Sequence, residues 1–232
     1  MVKPKGAIVC LSVNNFHPMK KMKKVLIACE CSGAVRDAFT AKGFYAVSCD
    51  LKDTEAPGLH HKGDVFEIIN EGWDLMIAHP PCTYLAVSGA VWLYNKDGTK
   101  NEARWAARAD GLEFVRKLMA SGVPRIAIEN PVSCISSQIR KPDQIVQPWM
   151  FGHSVVKTTC LWLDNLPKLK PTNIVDKGEF KVWTDPKTGK IKRCHTWHYQ
   201  FFGMPKAQRQ TARSKTFQGM ADAMAEQWGA VL

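Results

Sequence analysis

The chain has 232 residues, of which 45% are hydrophobic and 23% are charged. This balance excludes wholesale disorder, and the absence of any run of 18 or more apolar residues argues against a membrane span. Lysine and arginine outnumber aspartate and glutamate by 32 to 21, and the net charge of +11 favours a polyanionic partner such as nucleic acid. We find no signal peptide and therefore expect the eight cysteines to be reduced thiols in a cytoplasmic protein.

Strand and helix patterns alternate along most of the chain. After a basic N-terminal arm, residues 1–24, the run KVLIACE predicts a strand, and the next segment predicts a helix with Ser32 as N-cap and Gly43 as C-cap. Further strands are predicted at YAVSCD, WDLMIAH, RIAIEN and TTCLWL, with a helical turn at GDVFEIINEG. NEARWAARADGLEFVRKLMASG predicts a long amphipathic helix that Gly122 ends. This order predicts βαβ units, and hence an α/β fold with a parallel sheet and right-handed connections.

The C-terminal third has a different composition. Residues 165–215 are basic, interrupted by proline and glycine, and rich in aromatic side chains, and DPKTGK within them predicts a hairpin turn. We interpret this stretch as a small basic insertion between a core, residues 25–164, and a last helix, within residues 216–232, that returns to the core. Its aromatic side chains either stack on bases or form the core of the insertion. They are Trp183, Trp197, Tyr199 and Phe201.

Chemically active side chains recur where the predicted strands end, and ligands of parallel sheets bind beyond these ends. An acid at the end of the second strand, Asp50, is suited to accept hydrogen bonds from both hydroxyls of a ribose. The chain has no GxxxxGK[ST] or GxGxxG motif that would support phosphate binding. The pattern therefore favours an adenosine ligand without pyrophosphate. Two prolines precede Cys82 and restrict the backbone there, which favours a reactive thiol over a structural one.

Three ordered motifs carry a family resemblance. HPPC, then IENP, then a basic region and a closing GMADAMAEQWG resemble the DNA cytosine-5 methyltransferases, and most closely their short phage-type members. The resemblance covers roughly residues 23–163 and 216–230. It implies a Rossmann-like sheet that binds S-adenosylmethionine, a small target-recognition insertion and a double-stranded DNA partner, with RNA left open. It also implies a monomer in the cytoplasm, which is the host cytoplasm if the gene is phage-borne.

The resemblance implies a role for each matching position. Cys82 would be the nucleophile and Glu129 would hold the flipped cytosine, while Lys157 and Thr159 stand where the family has two arginines that contact the base. The implied cofactor-binding positions are Ala28, Glu30, Ser32, Gly33, Asp50, Asp64, Val65, Pro80, Gly219 and Ala221. The basic insertion adds the expected DNA-binding positions Lys168, Lys170, Lys190, Lys192, Arg193, Arg209 and Arg213. No metal site is expected, because Cys194, His195 and His198 form an incomplete ligand set.

The implied reaction requires an ionised thiol. Addition of the thiolate to the ring carbon beside carbon-5 of cytosine turns carbon-5 into a nucleophilic enamine, and Glu129 would stabilise the protonated ring. We expect Lys157, Arg36 or the start of the helix near Ser32 to favour the thiolate of Cys82. The target base must leave the duplex to reach these groups.

Two alternatives remain open. Paired prolines after a strand also mark amino-methyltransferases, although these normally have an aromatic residue where Cys82 stands, and alkyl transfer from a modified cofactor is a variant. The second alternative is a catalytically degenerate protein that only binds DNA. The glycine-poor loop around Gly33 and the missing arginine pair favour it, whereas the intact set of Cys82, Glu129 and Asp50 favours an enzyme.

Overall fold

The computed structural model describes residues 22–232, so most of the predicted N-terminal arm, residues 1–21, lies outside it. The strands are β1 (Lys24–Ala28), β2 (Tyr45–Asp50), β3 (His60–Lys62), β4 (Leu75–Ala78), β5 (Ile126–Pro131), β6 (Gln144–Val146), β7 (Thr159–Asp164), β8 (Phe180–Thr184) and β9 (Ile191–His195). The α-helices are α1 (Ala34–Ala41), α2 (Val65–Ile68), α3 (Glu102–Met119), α4 (Ile135–Gln138), α5 (Lys206–Ser214) and α6 (Gln218–Gly229). Short 3₁₀ helices span Val87–Leu93, Pro148–Met150 and Thr196–Phe201.

Seven strands form one sheet in the order β3-β2-β1-β4-β5-β7-β6. Strands β1 to β5 are parallel, whereas β7 is antiparallel to β5 and β6 is antiparallel to β7. The carboxyl ends of β1 to β5 therefore meet at one edge of the sheet together with the start of β7, and we call this the carboxyl edge. The opposite edge is the amino edge. The prediction of an α/β, Rossmann-like sheet is confirmed.

The sheet is buried on both faces, as the uniformly apolar strands predict. Along β1, Val25 and Ile27 point into one core cluster, and Leu26 and Ala28 point into the other. Helices α1 and α6 cover the first face, where Trp228 of α6 is fully buried, so the last helix returns to the core as predicted. Helix α3 covers the second face. Among the described residues, no helix combines the length and the apolar character needed to cross a membrane.

The predicted caps of α1 are each displaced by one residue. Gly33, not Ser32, is the N-cap, with a φ of +78° that few other residues adopt. The buried carboxylate of Glu30 accepts the N–H groups of Val35 (2.8 Å) and Arg36 (3.2 Å), and a charged acceptor binds such groups more strongly than a hydroxyl does. At the other end the C-cap is Lys42 rather than Gly43.

Several short elements were not predicted. His60 and His61 form part of β3 and pair with β2. Strand β6, helices α4 and α5 and the 3₁₀ helices were also missed. These segments are short or polar and have little periodicity of their own, so neighbouring chain segments decide their conformation. The hairpin predicted at DPKTGK is confirmed, because it connects β8 and β9 in a separate two-stranded sheet.

Candidate active site

The thiol of Cys82 lies just beyond the end of β4, at the carboxyl edge. The amide Nδ2 of Asn130, on the neighbouring β5, donates to the carbonyl oxygen of the buried Pro80 at 2.8 Å. The carbonyl of Cys82 then accepts the N–H groups of Leu85 and Ala86 and closes a turn. The side chain of Cys82 is exposed at the surface. The prolines and Asn130 together hold the backbone that presents the thiol.

A buried acid–base pair lies beside this loop. Oε2 of Glu129, on β5, is 3.2 Å from Nδ1 of His79, and the two side chains are 17% and 10% exposed. Burial raises the pKa of Glu129, but the hydrogen bond and charge of His79, with smaller contributions from Lys157 and Thr159, bring this pKa below its ordinary value. Burial lowers the pKa of His79, but Glu129 and Glu30 bring it above its ordinary value. Both shifts favour the charged forms of the pair, a carboxylate beside an imidazolium.

Lys157 and Thr159, which stand where the cytosine-5 methyltransferases that the sequence resembles have two arginines, also reach this edge. Thr159 opens β7 and is buried, and its hydroxyl donates to the carbonyl of Lys157 at 3.2 Å. Nζ of Lys157 lies 5.6 Å from the ring centre of Phe217 and donates to the carbonyl of Lys215 at 3.4 Å. Burial lowers the pKa of Lys157, although nearby negative groups oppose this shift.

The surroundings of Cys82 disfavour its thiolate on balance. Although Cys82 reaches the surface, the protein atoms around its thiol partly exclude water and raise its pKa, and the charge of Glu129 raises it further. Lys157 and Arg213 act in the opposite direction. Cys82, Glu129 and Lys157 therefore influence one another at the carboxyl edge. The fourth predicted catalytic residue, Thr159, lowers the pKa of Glu129. A ligand that screens Glu129 would favour the thiolate.

The expectation that Arg36 assists the thiol is wrong. Its side chain is fully buried, and its guanidinium donates to the carboxylate of Asp37 at 2.8 Å and to the hydroxyls of Ser48 and Thr54 at 3.1 Å. Two further bonds go to backbone carbonyls within residues 56–57. Arg36 thus holds the loop after β2 against α1, and its guanidinium is hydrogen-bonded to these groups rather than directed toward Cys82.

The predicted cofactor positions divide into polar groups and buried backbone positions. Asp50 ends β2 and accepts the N–H of Lys52 at 3.0 Å, and the exposed Asp64 caps α2 by accepting the N–H of Phe66 at 3.0 Å. Ser32 donates its hydroxyl to Glu30 at 3.2 Å. Buried positions at or near the carboxyl edge are Ala28, Val65 and Pro80.

The two predicted cofactor positions on α6 differ in their surroundings. The N–H of Gly219 donates to Nε2 of His153 at 3.1 Å, and a Cβ at this position would lie 1.9 Å from the carbonyl oxygen of Phe151. A glycine is therefore required where α6 approaches the loop between β6 and β7. Ala221 is fully buried within the core.

Two predicted DNA-binding residues do not join the site. Because β7 is antiparallel, it begins at the carboxyl edge and ends at the amino edge, and residues 165–170 follow there. The backbone of Lys170 exchanges two hydrogen bonds with the side chain of Gln227, near the C-terminus of α6. Lys168 and Lys170 are exposed, but they lie on the side of the sheet away from Cys82.

The remaining basic residues of the insertion belong to the β8–β9 hairpin and α5. Lys190 at the hairpin turn is exposed, Lys192 pairs with Asp185, and the guanidinium of Arg193 lies 5.2 Å from the ring centre of Phe180. Arg209 and Arg213 are on α5.

Helix α5 contacts the loop after β2. Nζ of Lys52 donates to Oγ1 of Thr211 at 3.2 Å, and Lys215 pairs with Glu55 at 2.5 Å. These contacts place α5 beside the carboxyl edge, which explains why the charge of Arg213 acts on Cys82.

The aromatic and metal-ligand candidates of the insertion have structural contacts. Phe201 is buried and packs on Trp197 with ring centres 4.7 Å apart, whereas Trp183 is 41% exposed. His195 uses both ring nitrogens, because Nε2 bonds the carbonyl of Lys177 at 2.8 Å and Nδ1 accepts the N–H of Trp197. Within residues 22–232, no group of three or more histidine, cysteine, aspartate or glutamate side chains is placed to hold a metal ion.

The arrangement combines a thiol, a carboxylate paired with an imidazole, and a lysine at one edge of the sheet. Such a set is suited to nucleophilic addition in which charge develops on a bound ring. His79 and Asn130 were not singled out from the sequence, and the only signal was their position next to the HPPC and IENP motifs. No protein-family model matches the chain, and no curated protein matches it.

Proposed function

We propose that the protein is a DNA cytosine-5 methyltransferase that uses S-adenosylmethionine and forms a covalent adduct through Cys82. The observation that carries the proposal is the placement of the Cys82 thiol and the Glu129 carboxylate at the ends of the adjacent strands β4 and β5. The cation of Lys157 lies close enough to influence both groups.

The residues of the carboxyl edge fit S-adenosylmethionine. A phosphate would bind at the start of α1, but the carboxylate of Glu30 already occupies those N–H groups. S-adenosylmethionine has no phosphate, carries positive charge and has ribose hydroxyls. Asp50 and Asp64 supply the negative charge, and Asp50 uses only Oδ1 among the described residues, which leaves Oδ2 for a hydroxyl. S-adenosylmethionine, when bound, supplies the methyl group as an electrophile.

The residues of the chain would activate the cytosine. Sγ of Cys82 forms a bond to carbon-6, and the electron pair of the 5,6 double bond moves toward the ring-nitrogen edge. The ring nitrogen takes up, through water, the proton that the thiol has released. Glu129, ionised by its pairing with His79, would accept hydrogen bonds from the exocyclic amine and the protonated ring nitrogen. Lys157 lowers the pKa of Cys82 and so favours the attacking thiolate. Once carbon-5 carries the methyl group, a water molecule takes the carbon-5 proton and the 5,6 double bond re-forms. The bond between Sγ and carbon-6 then breaks, and the ring nitrogen releases its proton.

The hairpin and α5 are the proposed DNA-binding surface. Their basic residues are Lys190, Lys192, Arg193, Arg209 and Arg213. Contacts with phosphates position the duplex without reading its sequence and make the affinity depend on salt. The proposal omits Lys168 and Lys170, because both lie toward the amino edge.

The test is transfer of labelled methyl from S-adenosylmethionine to duplex DNA, followed by digestion to nucleosides. We expect label in 5-methylcytosine with the wild type and with Cys134→Ala, whose side chain is buried in the second core cluster, and only background with Cys82→Ala. Label on an exocyclic amine would instead identify an amino-methyltransferase. DNA binding without any label would favour a DNA-binding protein or a modified cofactor.

A further inference from the structure

The imidazole of His79 differs from the structural histidine of the same chain. His195 satisfies both ring nitrogens within the protein. His79 uses Nδ1 to bond Glu129, whereas its Nε2 is buried and has no partner among the described residues. A buried donor without a partner costs about 1–3 kcal/mol. An apolar side chain of similar size could pack at this position without an unsatisfied polar atom. The presence of histidine therefore points to a role that requires the imidazole itself.

Charged groups face His79 from three elements. Glu129 projects from β5, Glu30 from the loop after β1, and Lys157 from the segment before β7. Two negative charges and one positive charge therefore act on the imidazole. The side chains of His79 and Glu129 are at least four-fifths buried, so solvent screens their interaction weakly.

We propose that His79 is a positioning residue that keeps Glu129 ionised and ties its Oε2, so that Oε1 accepts the donor edge of the target cytosine. This role rests on the proposed function. Cytosine offers an exocyclic amine as donor, whereas thymine offers a carbonyl oxygen at the same position. An ionised Oε1 can accept a hydrogen bond from this amine, whereas the carbonyl oxygen of thymine or uracil has no hydrogen to donate.

The first test needs no activity. The pKa of each histidine is measured by NMR titration in the wild type and in Glu129→Gln, with the His79 signal assigned by its loss in His79→Gln. We expect the pKa of His79 to fall by about one unit or more in Glu129→Gln, because an opposite charge at this distance shifts a pKa by about 1–3 units. An unchanged pKa of His79 would overturn the proposal.

The exposed pair of His61 and Glu67, 2.8 Å apart on the far side of β2, provides the control for this titration. The pKa of His61 should be the same in the wild type and in Glu129→Gln. A shift of both histidines would show that the variant disturbs the fold as a whole, which would also overturn the assignment.

The second test is the ratio of kcat/KM for His79→Gln to that of the wild type at each pH, with each value divided by the thiolate fraction of Cys82 measured in the same protein. Gln keeps a hydrogen-bond donor but removes the charge, so burial should raise the pKa of Glu129. The ratio should then fall by up to about tenfold per pH unit below the raised pKa of Glu129. A ratio independent of pH would show a merely structural role and overturn the proposal. His61→Gln should give a constant ratio near one.

The two tests separate this inference from the proposed function. An active wild type with an unshifted His79 overturns the positioning role alone. A wild type that transfers no methyl group overturns the proposed function, whatever the titration shows, and with it the role of the pair in binding cytosine.

Discussion

Asn130 offers the sharpest test of how β5 supports the loop that carries Cys82. Its Nδ2 donates to the carbonyl of Pro80 at 2.8 Å, and the side chain is buried. We expect Asn130→Ala to destabilise the protein and Asn130→Asp, which has nearly the same shape, to destabilise it more. The aspartate places an oxygen where the donor stood, so two acceptors face each other in a buried site.

The magnitudes follow from the contacts. Alanine leaves the Pro80 carbonyl without a partner, at a cost of about 1–3 kcal/mol. The same substitution removes Oδ1 of Asn130, which is buried and has no hydrogen-bond partner among the described residues. Removal of this unsatisfied oxygen offsets part of the destabilisation. The expected loss in the free energy of unfolding is about 1–2 kcal/mol for alanine. For aspartate it is about 3 kcal/mol or more, because a buried charge without a partner is added.

Urea unfolding monitored by circular dichroism measures these losses, and alkylation of Cys82 reports whether its loop loosens. Asn165→Gly is the matched control. Asn165 also donates Nδ2 to a proline carbonyl, that of Pro124 at 2.9 Å, but on the exposed surface and at a φ of +55° that glycine adopts easily. It should cost about 0.5 kcal/mol or less. An Asn130→Asp variant as stable as the wild type would refute the reasoning.

Two further predictions concern the helix start and the thiol. Gly33→Ala should destabilise the protein by at least about 1 kcal/mol more than Gly43→Ala in thermal unfolding. Both glycines have positive φ, but an added Cβ at Gly33 would lie 2.4 Å from the buried guanidinium of Arg36, whereas an added Cβ at Gly43 would meet nothing within 4 Å. Equal losses of stability in the two variants would contradict this reasoning. Lys157→Met should slow alkylation of Cys82 at pH 8 several-fold, because Lys157 lowers the pKa of that thiol. Lys168→Met, toward the amino edge, should leave the rate of Cys82 alkylation unchanged. An equal slowing in both variants would contradict the placement of Lys157, rather than Lys168, near Cys82.

Most of the central sheet could be predicted from local sequence. β1, β2, β4, β5 and β7 are apolar runs of four to six residues whose own composition favours a buried strand. β3, with His60 and His61, has no such pattern, and it is a strand because β2 presents unpaired backbone groups to it. The cap of α1 was displaced for a local reason, because the carboxylate of Glu30, three residues before Gly33, accepts the N–H of Val35.

The candidate site could be predicted only in part. The motifs indicated Cys82 and Glu129, whose roles depend on positions at strand ends. His79 and Asn130 were missed because each acts on a group 50 residues away, across the contact between β4 and β5. Lys168 and the other basic residues look alike along the chain, yet the reversal of β7 separates them in space.

The sequence by itself determined the alternation of strands and helices and the placement of a thiol and acids at strand ends, because hydrophobic periodicity and proline act over a few residues. Only the tertiary structure decided which charges face one another. A pKa depends on burial and on charges within a few ångströms, and these neighbours come from β1, β4, β5 and β7 together. The ionic pair at the centre of the candidate site is therefore a property of the folded sheet.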